Sequence, residues 1–277
     1  MECLLQVGVF VFGTIIGSFL NVVILRYGKK SLNGRSGCPV CGGTLQWFEL
    51  IPIFSFLFLR GKCRKCHKKI SWQYPIVEIS TGLIFLLIFN LSAQGGFALG
   101  GQFFNFFYLW VIFSILIVIF VYDLYHKIIP DLLVFIFIGL SFVSVIGGFD
   151  TLSSGWWSFS SRNALWAGPL LAFPFAFLWF VSKGRWMGLG DAKLAWGIGW
   201  LLGLVKGSSA IILGIWIGAV VGLLLIALSK VIQRKQLFFK GKNFTIKSEL
   251  PFAPFLIIGM VLVFFFGWDV WGLSLFL

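Results

Sequence analysis

The sequence predicts an all-α polytopic membrane protein, with about eight transmembrane helices and a small zinc-binding cytoplasmic insertion. Three observations carry this prediction. Of 277 residues, 59% are hydrophobic and only 11% charged, with a mean hydropathy of +0.99. That is too little charge to cover a soluble protein of this size. Apolar runs of about 20 residues recur along the chain, the length needed to cross a hydrocarbon core as a helix. Basic residues gather in alternate connecting segments instead of spreading evenly.

The first run, 3–25, has no basic region before it and reads as a retained helix, not a cleaved signal. A polar stretch, 27–73, follows with four of the five cysteines. Further spans are expected at 74–92, 102–122, 130–147, 164–182, 191–205, 208–229 and 251–275. Most are rich in Phe, Leu, Ile and Val all round. Helical periodicity is therefore weak, as expected where lipid surrounds a bundle. Three parts result: a first helix over 1–26, a cytoplasmic loop domain over 27–73, and membrane-embedded helices over 74–277. No internal repeat is visible.

Charge sets the orientation. Residues 26–69, the turn near 127, the segment 183–193 and the loop 230–247 hold 20 Lys and Arg, against Arg162 and Lys206 in the alternate loops. The positive-inside rule then places the N-terminus outside and the basic loops in the cytoplasm. The net charge of +13 is explained by topology and anionic lipid, without a nucleic acid.

Topology in turn locates the acids. Asp123 falls where the third span meets the cytoplasm, and Asp191 where the sixth span leaves it. The two share a membrane face although 67 residues lie between them. An ionisable group at that depth is costly and points to function. A helix N-cap is the structural alternative for Asp191. Gly188 and Gly190 frame Asp191 in a segment that can turn tightly and admit another chain. Two carboxylates in one wet pocket can hold one proton between them, one acting as general base on water and the other as acid.

The cysteines form Cys38-x2-Cys41 and Cys63-x2-Cys66, 21 residues apart. The pattern reads as a four-cysteine structural zinc site. Disulfides are the alternative, and a reducing cytoplasm argues against them. Cys3 is expected as a small buried residue in the first span.

Other polar residues are assigned weaker roles. Ser18 and Asn21 are expected to bond a neighbouring helix, the alternative being a substrate backbone. Glu78 is a third carboxylate on the cytoplasmic side, either contacting a substrate or methyl donor or pairing with a basic loop residue. Asp131 after Pro130 suits a helix start. Trp47 and Phe48 are expected in the headgroup region.

These motifs together resemble a known family. "GLGD" (188–191) is similar to the GxGD signature of membrane-embedded aspartyl proteases. "DLYHKIIPD" (123–131) resembles the other aspartate segment of the type IV prepilin peptidases. "GSFLNVVILR" (17–26), "CPVC" (38–41), "WFELIPIFSFLFLRGKCRKC" (47–66) and "YPIVE" (74–78) resemble that family's N-terminal half, in order. The resemblance runs from about residue 10 to about 205; beyond it the chain adds only hydrophobicity and a basic loop.

The resemblance implies a catalytic pair, Asp123 and Asp191, within the 74–277 peptidase helices. It implies removal of the short basic leader from prepilins and pseudopilins at the cytoplasmic face of the bacterial inner membrane. It also implies N-methylation of the new N-terminus from S-adenosylmethionine, although no glycine-rich methyl-donor fingerprint is present. Two other readings use the same residues: a proton-coupled transporter with paired intramembrane acids, and a non-enzymatic scaffold that presents a zinc module.

Overall fold

A computed structural model of the chain describes residues 2–28, 34–94, 101–146, 161–235 and 251–271. Among these, helix dominates and no extended strand occurs, only isolated bridges at Gly37–Thr44 and Lys62–Lys69. The helices in chain order are α1 (Glu2–Arg26), a short α2 (Phe54–Phe58), α3 (Gln73–Gln94), α4 (Gly101–His126), α5 (Asp131–Ile146), α6 (Ser161–Ser182), α7 (Leu189–Lys235) and α8 (Ala253–Phe266). Five stretches within α1, α3, α4, α6 and α7 are long and apolar enough to cross a membrane; α5 and α8 are shorter apolar helices.

The chain divides into two compact units, Met1–Val118 and Ile119–Leu277. In the first, α1 packs along α3 through small residues. A side chain at Gly13 would meet the Cα of Gly82 at 2.8 Å, and one at Gly17 the Cα of Glu78 at 2.7 Å. Lipid offers no hydrophobic drive between helices, so close backbone approach and polar bonds hold such a pair. The Asn21 amide supplies one bond, donating to the Tyr74 carbonyl at 3.2 Å, and Gln6 donates to Asn90 at 3.1 Å. Asn21 thus bonds the neighbouring helix, as expected. Cys3 does not follow its expectation: it is exposed. It lies in the first turn of α1, where Leu4 and Leu5 beside it are exposed as well.

In the second unit α7 is the central helix, touching α5, α6 and α8. Its two expected spans, 191–205 and 208–229, form one helical run interrupted at Gly203 (φ 75°, ψ −178°). Those angles lie in a region open essentially to glycine alone. The last span, expected over 251–275, is shorter in the structure, where α8 ends at Phe266. Gly267 adopts the left-handed conformation (φ 64°) and donates to the Val263 carbonyl at 3.1 Å, a C-terminal stop. Beyond it Ser209 donates to Asp269 at 2.9 Å and the Trp271 indole donates to Ser208 at 3.0 Å, tying the chain after α8 to α7.

Candidate functional site

The second unit brings Asp123 and Asp191 together. Asp123 is in the last turn of α4 and 4% exposed; Asp191 is in the first turn of α7 and 8% exposed. Their charges interact through space. The segment between the helices sets the approach. The Lys127 N–H closes the end of α4 on the Asp123 carbonyl at 2.8 Å, with Lys127 itself left-handed (φ 55°). Pro130 follows, and Asp131 starts α5. Gly190 lies against this connection, where a Cβ would sit 2.9 Å from that of Ile129. Gly190 thus admits the close approach of this connection, since a side chain there would meet Ile129.

The Asp123 Oδ2 is buried and makes no hydrogen bond.

Asp131 stands apart from this pair. It is 69% exposed and forms an ion pair of 2.6 Å with Lys193. An apolar groove of about 480 Å³ lies nearby, walled by Phe135, Phe173, Leu189, Trp196 and Trp200. Leu189, Ala192, Lys193, Trp196 and Trp200 share one face of α7. Asp191 falls on the opposite face, so this groove does not open onto the carboxylates.

The first unit holds the cysteine cluster. All four Sγ atoms of Cys38, Cys41, Cys63 and Cys66 lie within 4.8 Å of one another, with Cys38 and Cys66 at 3.9 Å. Four thiolates on a tetrahedral zinc ion stand about 3.8 Å apart, given Zn–S bonds of about 2.3 Å. The donor set fits a metal ion.

The two halves of the cluster share one local geometry. The Cys38 N–H donates to Gly43 and the Gly42 N–H returns to the Cys38 carbonyl, both at 2.9 Å. In the second half Cys63 donates to Lys68 at 2.9 Å and His67 returns to Cys63 at 2.8 Å. The residue after each second cysteine is left-handed: Gly42 at φ 66° and His67 at φ 54°. Main-chain N–H groups of Cys41 and Val40 lower the Cys38 thiol to about 7. At Cys66 the Lys68 N–H acts in the same direction, but burial and the other three sulfurs outweigh it and push the thiol up to about 11. Four crowded sulfurs cannot all ionise without a cation among them.

Glu78 is buried on α3, and its Oε2 accepts the Ile53 N–H at 2.8 Å. Ile53 has φ 61°, rare for a β-branched residue, at the start of α2. Around it Trp47, Phe54 and Phe58 are exposed, and the Phe56 ring meets Trp72 at 4.9 Å.

Residues 11–91 match the bacterial peptidase A24 N-terminal domain, and residues 110–223 match the type IV leader peptidase family. A prepilin leader peptidase/N-methyltransferase of Bacillus subtilis is 31% identical, with 93% of each chain covered.

The chain belongs to the type IV leader peptidase family.

Another relative of the same name, from Vibrio cholerae, is 31% identical over 91% of this chain and 92% of its own. One from Neisseria gonorrhoeae is 30% identical over 94% and 90%. No solved structure matches the chain at a significant level. Both aspartates of this leader peptidase family member lie within the second matched segment and all four clustered cysteines within the first. α8 lies outside both.

Proposed function

We propose that this protein is an aspartic endopeptidase that removes the short leader from prepilins and pseudopilins, with Asp123 and Asp191 as its catalytic pair. The observation that carries the reading is the meeting of two buried carboxylates at the ends of α4 and α7 in a chain of this family. One carboxylate takes a proton from water as its oxygen attacks the scissile carbonyl. The other, protonated, hydrogen-bonds the developing oxyanion. On collapse the peptide C–N bond breaks, and the leaving amine takes a proton from the pair. Both acids sit at helix ends, which suits a substrate entering from one face more than a proton relay through the membrane.

The protein is a multi-pass membrane chain, which we place in the inner membrane with its N-terminus outside and the cysteine loop in the cytoplasm. The ion held by Cys38, Cys41, Cys63 and Cys66 is zinc, acting as a staple for a loop with little core of its own. N-methylation from S-adenosylmethionine rests on the names of the relatives. Glu78, the candidate contact for the donor, is a poor fit, since its carboxylate is buried and engaged with Ile53.

The test is a detergent assay on a synthetic prepilin, read by mass spectrometry for leader loss and methyl gain. Asp123→Asn and Asp191→Asn should each abolish cleavage while the protein still folds. The double variant should be no worse than either, because groups acting as a unit are non-additive. Leader removal at the parental rate by either single variant would falsify the assignment. Completed cleavage with no methyl gain in the presence of donor would remove the second activity.

A further inference from the structure

We propose that α2 and the 3-10 turn before it (Trp47–Leu50) form an anchor in the membrane interface. Trp47, Phe54, Leu57 and Phe58 insert into the cytoplasmic leaflet beside α1 and α3, and the basic residues that follow hold anionic phospholipid headgroups. The anchor is independent of how Asp123 and Asp191 act.

A hydrogen bond fixes the depth. The Ile53 N–H donates to Glu78 Oε2 at 2.8 Å and ties the start of α2 to the second turn of α3. From Gln73, the first residue of α3, to Glu78 is about 7 Å along the helix axis. α1 is level with Glu78 at Gly17, where a Cβ would lie 2.7 Å from the Glu78 Cα. From Gly17 to Arg26, the end of α1, is about 13 Å. Both helices are long and apolar enough to cross a membrane over these residues. α2 therefore starts inside the cytoplasmic ends of the two spans. Interfacial helices reach a similar depth, about 5–10 Å into the boundary between headgroups and acyl chains.

The surface and the backbone both suit lipid. Phe54, Leu57 and Phe58 are 61%, 63% and 86% exposed, and their spacing puts them on one face of α2. The other side is occupied: Phe56 meets Trp72 and lies against Gly61, where a Cβ would sit 3.1 Å from its ring. Main chain that enters a membrane must have its polar groups satisfied. The N–H groups of Ser55, Leu57, Leu59, Arg60, Gly61 and Lys62 all donate to carbonyls within 51–59, at 2.9 to 3.1 Å. Glu78 accepts the N–H of Ile53, which precedes the helix.

Charge identifies the partner. Between Glu49 and Glu78 the chain has no acid and six exposed cations, Arg60, Lys62, Arg64, Lys65, Lys68 and Lys69. Arg64 stands over the Phe48 ring at 5.6 Å, so the basic and aromatic parts adjoin. Aromatic rings flanked by cations match the headgroup region of an anionic leaflet. The same charge repels a basic leader, which favours the bilayer over a substrate as the occupant of this face.

The test places p-benzoylphenylalanine at Phe58 by nonsense suppression, in the full chain reconstituted in mixed phosphatidylglycerol and phosphatidylcholine vesicles. Irradiation captures whatever touches the ring, and mass spectrometry identifies it. The same probe at Leu83, exposed within α3, is the lipid reference, and at Lys68 the water reference. Position 58 should give phospholipid adducts at a yield close to that of position 83, with none at 68. Phosphatidylglycerol should exceed its share of the mixture about fivefold, the scale of one basic residue at a charged surface. No lipid adduct at 58, beside a normal yield at 83, would overturn the insertion. Adducts in proportion to the mixture would overturn the anionic assignment.

Adding a synthetic prepilin should leave the lipid adducts in place. A peptide adduct that replaces them would give the face to the substrate and overturn the proposal. Should the probe at 58 prevent folding, hydroxyl-radical footprinting of the unsubstituted protein in the same vesicles reads the face directly. Oxidation of Trp47 and Phe58, each scaled to the unfolded chain, should match that of Leu83 and fall far below that of His67. Scaled values equal to that of His67 would overturn the insertion just as firmly.

Discussion

Gly188 and Gly190 stand two residues apart in one motif, yet the structure gives them different work. A Cβ at Gly190 would sit 2.9 Å from the Cβ of Ile129, which has no flexible end to move away. The Gly190→Ala protein must shift the connection between Asp123 and α5. Its kcat on a synthetic prepilin should fall about 10- to 100-fold, since small misplacements of catalytic groups cost that much. Gly188→Ala adds a carbon 3.8 Å from Asp191 Oδ2, an ordinary contact, and should change kcat by no more than about twofold. Steady-state kinetics on the two variants decides the point. Gly42 isolates a different effect. Nothing lies within 4 Å of its would-be Cβ, and its φ is 66°. Gly42→Ala should therefore destabilise the cysteine loop through backbone conformation alone, by about 1 kcal/mol. A zinc-affinity titration would read this as roughly a fivefold weaker site.

α7 shows at the scale of an element why helix composition and helix continuity are separate matters. Its sequence is apolar on both sides of Lys206 and Gly207, which places the expected division there. The backbone breaks at Gly203 instead, the only non-helical residue inside the described run. Space around Gly203 is open, so sterics with neighbours do not fix its identity. Conformation does: φ 75° with ψ −178° is nearly closed to residues with a Cβ. Gly203→Ala should lower stability by about 1–3 kcal/mol, visible as an earlier thermal transition in detergent. A Tm at or above the parent value would mean that the break is not a required feature. α3 gives the complementary case, where one buried side chain organises a neighbour. Glu78 holds the main chain of Ile53 in a conformation costly for isoleucine, and so fixes where the exposed aromatics Trp47, Phe54 and Phe58 project.

For the whole molecule, the metal site and the carboxylate pair belong to different compact units, the first over Met1–Val118 and the second over Ile119–Leu277. Elemental analysis of the purified protein should find one zinc per chain. Removing it with a strong chelator should speed amide exchange over 34–71, where two knuckles have only short bridges and turns to hold them. Exchange in α5–α8 should be unaffected. Cleavage by the chelated protein should survive in part, because none of the four cysteines lies near the aspartates in sequence or in the same unit. Four freely alkylated thiols without bound metal would contradict the site.

The sequence by itself determined the membrane class, because apolar length and sparse charge admit few other solutions. It also pointed to the cysteine cluster, and singled out the two aspartates proposed as the pair. Paired CxxC spacing and acids at matched helix ends are local signals, and the ordered motifs from 17 to 191 carried the family. Only the tertiary structure decided what those residues rest on. Ile129 explains Gly190, and the Ile53 N–H engages Glu78. The physical reason is common to both. Each partner is a main-chain amide or an aliphatic surface, and neither has a side-chain chemistry that a sequence can announce. Its role exists only once the chain has folded and brought it within contact of an acid or a glycine.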